Sequence, residues 1–412
     1  MKNRIAPLLL AAAALAPSLP AQTAQPLTLA RAGNSYLNLS LVGDIAAGAS
    51  GAADVGTLQT GGHDPAQRGF TIQGLEAIFE GSVDNYFRAT ANIVYGLDTD
   101  GESYFELEEA YAETLALPHG LQLRAGQYFT EFGRINAQHP HAWDFVDAPL
   151  ATARFFGPDG LRNTGARLSW LAPTPFYSEL FLGVQNSQGE TAHSFRSDHE
   201  DEPYAGRPAA ETTVHGFQDM LYTARYAVSV DLTDTQTLLG GVSAAWGPNS
   251  TGGDARTQIY GADFFWKWKP ADHNKGFPFI SVQSEILLRG FRAAAADIVL
   301  ADGTGAALPT ETFWDWGAYA QLSYGFREGW VASLRADYAA PFARADYEEI
   351  LDGTDSNRAR RWRISPALTW YPSEFSRIRI QYNYDHGSAF GDEHGVWVQL
   401  EFLLGSHAAH KF

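Results

Sequence analysis

From residue 35 onward the chain divides into sixteen segments of alternating apolar and polar residues, joined by connections that are by turns long and short. Successive side chains of a strand point to opposite faces, so this period gives every segment one apolar and one polar face. In NYFRATANIVY, Phe87, Ala89, Ala91, Ile93 and Tyr95 stand against Arg88, Thr90 and Asn92. In SRIRIQYNYD, Ile378, Ile380, Tyr382 and Tyr384 stand against Arg377, Arg379, Gln381 and Asn383. The connections over 46–69, 96–101, 133–160, 188–215, 247–255, 293–311, 343–358 and 386–394 are mostly long. The intervening ones are short: SVDN at Ser82, LPHG at Leu117, APTP at Ala172, DLTD at Asp231, KPADHNKG at Lys269, FREG at Phe326 and PSEF at Pro372. Short turns at one end and long loops at the other predict an all-β transmembrane antiparallel β-barrel of about 16 strands. The short turns then face the periplasm and the long loops the exterior.

A soluble sandwich shares the alternation but seldom places so many Arg and Glu at mid-strand. Trp246, Trp268, Tyr324, Trp330, Tyr338, Trp362, Trp370, Tyr382 and Tyr384 fall toward segment ends on the apolar parity, where interfacial girdles sit. In the last segment, Val396, Val398, Leu400, Phe402 and Leu404 alternate with Trp397, Gln399 and Glu401, and Phe412 keeps their parity. Lys2 and Arg4 precede the apolar run Ile5 to Leu19, which reads as a secretory signal over 1–24 with its cleavage point between Ser18 and Ala24. Residues 25–412 then form one barrel domain. Zero cysteines rule out a lipid-acylated Cys and a disulfide framework. A formal charge of −18, with 47 acidic against 29 basic residues, disfavours a nucleic-acid partner, and none is expected. After the signal there is no run of 18 apolar residues, so no membrane helix is expected, whereas a strand barrel hides its apolar face in the average.

The stretch FELEEAYAETLALPHGLQLRAGQYFTEFGRINAQHPHAWDFVDAP, within residues 105 to 172, together with the C-terminal segment, resembles a bacterial porin group related to the phosphate-selective porins. Some members carry the label zinc-regulated TonB-dependent outer membrane receptor. The resemblance implies a channel in the cell outer membrane, a homotrimer among lipid and lipopolysaccharide, and delivery by the barrel-assembly machinery through the C-terminal strand. TonB-dependent transporters resemble a larger barrel filled by a plug, and a first strand near Tyr36 leaves no room for one. Passive diffusion of small hydrophilic solutes or ions is therefore the expectation. The alternatives are a solute-specific or metal-linked uptake receptor, for zinc or phosphate, and a barrel hydrolase.

Lumen-parity charges segregate along the chain. Glu76, Glu80, Glu106 or Glu109, and Glu113 lie early; Arg289, Arg335, Arg361, Arg363, Arg377 and Arg379 lie late, descending from the outer mouth to the inner half. Fixed charges in a narrow aqueous passage enrich counter-ions, and Arg suits carboxylate or phosphate. Two readings stand: these Arg line the path, or they pair with Glu285, Asp337 and Asp385 to satisfy the wall. The connection 133–160 is the candidate constriction loop. Trp143, Phe145, Val146, Phe155 and Phe156 would pack it on a wall, Asp144, Asp147 and Asp159 would face the arginines across the pore, and Arg154 is a further charge of the same constriction loop.

His139 and His141, and His193, Asp198, His199, Glu200, Asp201, Glu202 and His215 of the fourth loop, are donors suited to zinc. Spacing in a flexible loop is no metal signature, so neither a metal nor another cofactor is expected. DTDGESYFE at Asp98 places its Gly wrongly for a calcium loop and reads as a hairpin turn. No nucleotide-binding or hydrolase fingerprint occurs, and no enzyme is expected.

Overall fold

The computed structural model describes residues 27–197, 203–210, 213–300, 302–353 and 355–405. The expected signal segment, the terminal Phe412 and the fourth-loop residues Asp198, His199, Glu200, Asp201 and Glu202 lie outside the described residues. Period-two alternation is realised as long strands: β1 (Leu27–Ala32), β2 (Ser35–Ser50), β3 (Gly69–Ser82), β4 (Phe87–Leu97), β5 (Ser103–Thr114) and β6 (Leu121–Phe129). β7 (Arg162–Leu171), β8 (Tyr177–Asn186), β9 (Met220–Thr233), β10 (Gln236–Pro248), β11 (Arg256–Trp268) and β12 (Phe279–Ala293) follow. A loop hairpin, β13 (Ala296–Val299) and β14 (Gly305–Leu308), precedes β15 (Glu311–Arg327), β16 (Trp330–Pro341), β17 (Arg361–Ser373), β18 (Ser376–Gly387) and β19 (Gly391–Leu404). Two short helices, α1 (Leu150–Phe156) and α2 (Asp346–Ile350), sit in long loops.

Strands β2 to β12 and β15 to β19 each pair antiparallel with their neighbours, and β19 pairs with β2, which closes a ring of sixteen strands. The sixteen expected strands are those of the ring. β1 is a strand beyond the sixteen expected: it pairs with Ser35 to Leu39 of β2, on the edge that β19 uses further along from Leu41 to Ser50. Closure removes every free sheet edge of the ring, so the backbone is satisfied within the wall, as a strand protein crossing lipid requires.

The two faces differ as the alternation demands. Outward residues such as Val242, Ile380 and Val396 are 58%, 48% and 45% exposed, whereas inward Arg335 and Arg379 are 1% and 0% exposed. Aromatics collect at both rims. Trp330 stacks on Trp370 at 5.8 Å beside the short turns, and Trp362 meets Tyr384 edge-on at 5.1 Å beside the long loops.

Loops enter the lumen and pack on its wall. Phe155 and Phe156 of α1 pack with Phe132, Phe195, Ile259 and Leu287 against the inner face of β9 to β12. Each buried Phe contributes about 1.5–3 kcal/mol relative to exposure, enough to hold a short helix that has no side-chain N-cap. Val146 packs with Val55 and the inward Trp397, so the polar face of the last strand carries one large apolar residue for the loop to cover.

Candidate functional site

The connection between β6 and β7, which contains residues 133–160, is fastened to three sectors of the wall. At its start, the Arg134 and Ile135 N–H groups donate to Glu285 Oε1 at 3.0 and 2.7 Å, and Gly133 N–H donates to Ser243. Glu285 therefore serves the loop backbone and the Tyr319 hydroxyl, not one of the late arginines.

The second sector is β16 to β18, with Asp147 as its hub. Arg335 Nη2 donates to Asp147 Oδ1 at 2.6 Å, Arg363 Nη1 donates to Oδ2 at 3.0 Å, and the amides of Gln381 and Asn383 also donate to this carboxylate. Burial alone would raise the Asp147 carboxyl, but Arg363 and Arg335 hold it well below the usual carboxylate range. Asp147 does not face the arginines across a gap; it is bonded to them, because the loop backbone lies directly on the wall. Arg335 also pairs with Asp337 at 2.8 Å, and Arg361 and Arg363 share Asp385 at 2.7 and 3.0 Å. Nearer the short turns, Arg377 pairs with Glu401 and donates to the His141 carbonyl at 2.6 Å. Arg379 donates to the Trp143 carbonyl and to Gln399, each at 2.8 Å, and has no carboxylate partner among the described residues. Arg289, in β12, pairs with Asp315 at 2.8 Å.

The third sector is β3 to β5, where the loop presents His139 and His141. His139 Nδ1 lies 2.9 Å from Glu108 Oε2 and its Nε2 lies 2.9 Å from Glu109 Oε2, while His141 Nδ1 lies 3.0 Å from Glu76 Oε1. His63, from the loop 51–68, reaches the same group, with Nε2 3.6 Å from Glu108 Oε1 and Nδ1 on the Gln73 carbonyl at 2.9 Å. Burial would lower both His63 and His139, but the Glu108 carboxylate outweighs it. It holds His63 at about 10 and His139 well above its ordinary value. Two imidazolium ions thus help to balance Glu76, Glu108 and Glu109.

The remaining predicted residues stand apart from this triple contact. Glu113 bridges Arg88 and Arg124, and Glu80 accepts from Tyr36 at 3.3 Å, both toward the short turns. Asp144 accepts from Gln321 and Ser323 at 3.2 and 2.9 Å. Arg154 donates to the carbonyls of Arg358 and Ala359, and Asp159 lies near Glu106 and His63, away from the arginines. Among the described residues, fourth-loop His193 packs on Tyr204 and joins no group of metal donors. The Asp98 stretch is a tight turn, with Asp98 Oδ1 accepting from the N–H groups of Asp100 and Glu102.

Sequence reasoning offered Glu106 or Glu109 as the inward residue of β5. The structure turns both Glu108 and Glu109 inward, because a bulge sets Asn92 opposite Glu109 and Ile93 opposite Leu107. The consecutive pair Glu108-Glu109 in an otherwise alternating strand is the one trace of that bulge in the sequence.

No family model matches the chain. An uncharacterized protein of Aquifex aeolicus (strain VF5) is 30% identical over 376 residues, 85% of this chain and 73% of that protein. Among solved structures, the outer membrane channel DcaP of Acinetobacter baumannii superposes with a TM-score of 0.58 at 12% identity, covering 90% of this chain and 98% of that one. The anion-selective porin from Comamonas acidovorans gives 0.54 at 8% identity, with 90% and 100% covered. Salmonella typhi OmpF gives 0.51 at 10% identity, with 90% and 98% covered. The ring of sixteen strands with an apolar exterior and a polar interior that loops enter thus has the fold of the porin-like barrels, and the chain belongs to the family of the Aquifex aeolicus protein.

Proposed function

We propose that this protein is an outer-membrane porin through which small hydrophilic solutes and ions diffuse passively, with residues 133–160 setting the bore. The observation that carries this reading is the fastening of that loop, inside the barrel, to three sectors of the lumen wall by Glu285, by Asp147 and by His139 with His141. A segment held across a lumen at mid-height narrows it and brings fixed charge close to any solute in transit. The similarity of its fold to channels and porins supports the same reading, as does the resemblance of residues 105 to 172 to the phosphate-selective porin-like group.

The cations without a carboxylate partner favour anions. Arg379, Arg134 and Lys267 stand in the inner half and form no ion pair among the described residues; Arg134 lies 4.1 Å over the Phe265 ring and donates to Gln283. Unpaired guanidinium groups suit phosphate and carboxylate solutes. One protein of similar fold is described as a trimer form, and a homotrimer is the assembly we propose. An outward groove of about 550 Å³, floored by Ala262, Ala318, Ala320 and Ala336 and walled by Phe264, Ile286, Trp316 and Tyr338, offers an apolar surface for such packing. Planar-bilayer recording of the folded protein tests the reading. Stepwise ohmic events with a reversal potential biased toward anions in a KCl gradient are expected, and folded protein that conducts nothing overturns it.

A further inference from the structure

We infer that Glu76, Glu108, His139 and Asn92 form a binding site for one divalent transition-metal ion of the zinc class, which ties the 133–160 loop to β3, β4 and β5. The inference does not depend on the channel reading.

Glu76, Glu108 and His139 each offer one ligand atom within 4.8 Å of the other two, on buried or nearly buried side chains. His139 Nδ1 is 2.9 Å from the Glu108 oxygen and 3.7 Å from the Glu76 oxygen. Ligand atoms at about 2.0–2.1 Å around a tetrahedral zinc ion stand roughly 3.3 Å apart, and the two separations bracket that value. The fourth vertex is filled by the Asn92 amide terminus, with Nδ2 at 3.2 Å from Glu76 Oε2, 2.6 Å from Glu108 Oε2 and 3.1 Å from His139 Nδ1.

Asn92 is 1% exposed, and its Oδ1 has no hydrogen-bond partner. If His139 Nδ1 carries a proton for Glu108, that N–H faces the Asn92 amide N–H₂; if it carries none, its lone pair faces a carboxylate at 2.9 Å. Each protonation state leaves one contact mismatched. A cation at the centre removes the conflict, because the imidazole nitrogen then gives its lone pair to the metal. A half-turn of the amide also delivers the orphan Oδ1 as fourth ligand. Binding displaces the Nδ1 proton to solvent.

The surrounding groups are those that orient metal ligands. His139 Nε2–H donates to Glu109 Oε2, which fixes the ring, while His141 holds the other oxygen of Glu76 and His63 approaches the other oxygen of Glu108. One imidazole with carboxylate and amide oxygens suits zinc and its neighbours better than calcium, which takes six or more oxygens. The adjoining set of His63, Glu106 and Asp159 is a weaker candidate, since Glu106 is already neutralised by Arg162.

The test uses the folded full-length protein in detergent, freed of metal by a chelator. Calorimetric titration with Zn²⁺ is expected to give one ion per chain, and Co²⁺ is expected to give the visible bands of a tetrahedral site. Glu109→Gln should weaken binding 10–100-fold, His139→Gln should abolish it, and His193→Ala should leave it unchanged. Absence of stoichiometric binding in folded wild-type protein, or full binding by His139→Gln, overturns the site. If His139→Gln fails to fold, X-ray absorption of the Zn²⁺-loaded wild-type protein decides. One imidazole nitrogen with a remainder of oxygens supports the site, and either an all-oxygen shell or several imidazoles overturns it.

Discussion

The loop that crosses the lumen is held by two unlike walls, and the contrast shows how one segment acquires both a fixed and a conditional anchor. On β16 to β18 the partners are Arg335 and Arg363 against Asp147, charges that stay on throughout the physiological range. On β3 to β5 the loop's partner is His139 against Glu108 and Glu109, whose attraction depends on a proton. The first wall specifies where the loop lies. The second makes its attachment responsive to the medium.

The largest effect is expected from breaking the fixed anchor. Asp147 is fully buried, and removing its carboxylate leaves two buried guanidinium groups facing each other. Asp147→Ala should cost about 3–5 kcal/mol, measured by urea unfolding of the detergent-folded barrel. It should also expose the 133–160 loop to protease. Asp147→Asn combined with Arg363→Gln should recover part of the loss, because the uncompensated charge is removed along with its partner. If Asp147→Ala unfolds at the wild-type urea concentration, the hub does not hold the loop.

The conditional anchor breaks from the opposite direction of pH. His63 and His139 have folded values above the unfolded one, so their contribution is complete below about 6.5 and fades as pH rises through the folded values, about 10 for His63. Asp147 has a depressed folded value, so its contribution is present above about 3.9 and is lost only as acid protonates it. Base should therefore loosen the loop at β3 to β5 while leaving it on β16 to β18, whereas strong acid protonates the carboxylates of both walls and loosens both. A loss on the order of a few kcal/mol between pH 6.5 and 10.5 is expected. Hydrogen exchange that resolves 133–142 from 143–150 would show which half opens first. His139→Gln together with His63→Gln should flatten the alkaline limb, and an alkaline limb unchanged in that variant would locate the titration elsewhere.

The two walls were unequally legible in the sequence. Arg335, Arg363, Arg377 and Arg379 follow strict alternation on regular strands, so their inward direction could be read from parity, and so could the strand ring that carries them. The placement of Asp147 between Arg335 and Arg363 could not. It depends on how the apolar residues Val146, Phe155 and Phe156 seat the loop, and loop paths leave no period in a sequence. On the other wall Glu76 and Glu109 were readable singly, as was the His-x-His pair. Glu108 was hidden by the bulge opposite Asn92 and Ile93, and His63 by its place in a loop that folds inward beside Gln73. The donors of the inferred metal site, 76, 92, 108 and 139, are scattered in the chain and meet only in the closed barrel, so no spacing within one loop announces them.

The smallest expected effect concerns ions in transit, and it separates paired from unpaired guanidinium groups within the arginine wall itself. Arg335 is neutralised by Asp147 and Asp337, so a passing ion meets a nearly balanced group. Arg379 is met by carbonyl and amide oxygens, so its full charge remains as a source of potential. A charge with no counter-charge nearby shapes the potential of a narrow aqueous path more than a compensated pair does. Its effect is screened over about 8 Å at physiological ionic strength. Arg379→Gln should therefore move the reversal potential toward cations, by more in dilute salt than in concentrated salt. Arg335→Gln combined with Asp337→Asn, which removes a cation and its counter-charge together, should leave reversal near the wild-type value, despite its larger cost in stability. Equal shifts from Arg379→Gln and from the paired change would mean that Asp337 does not compensate Arg335, and that the wall acts on permeating ions as a continuous row of positive charge.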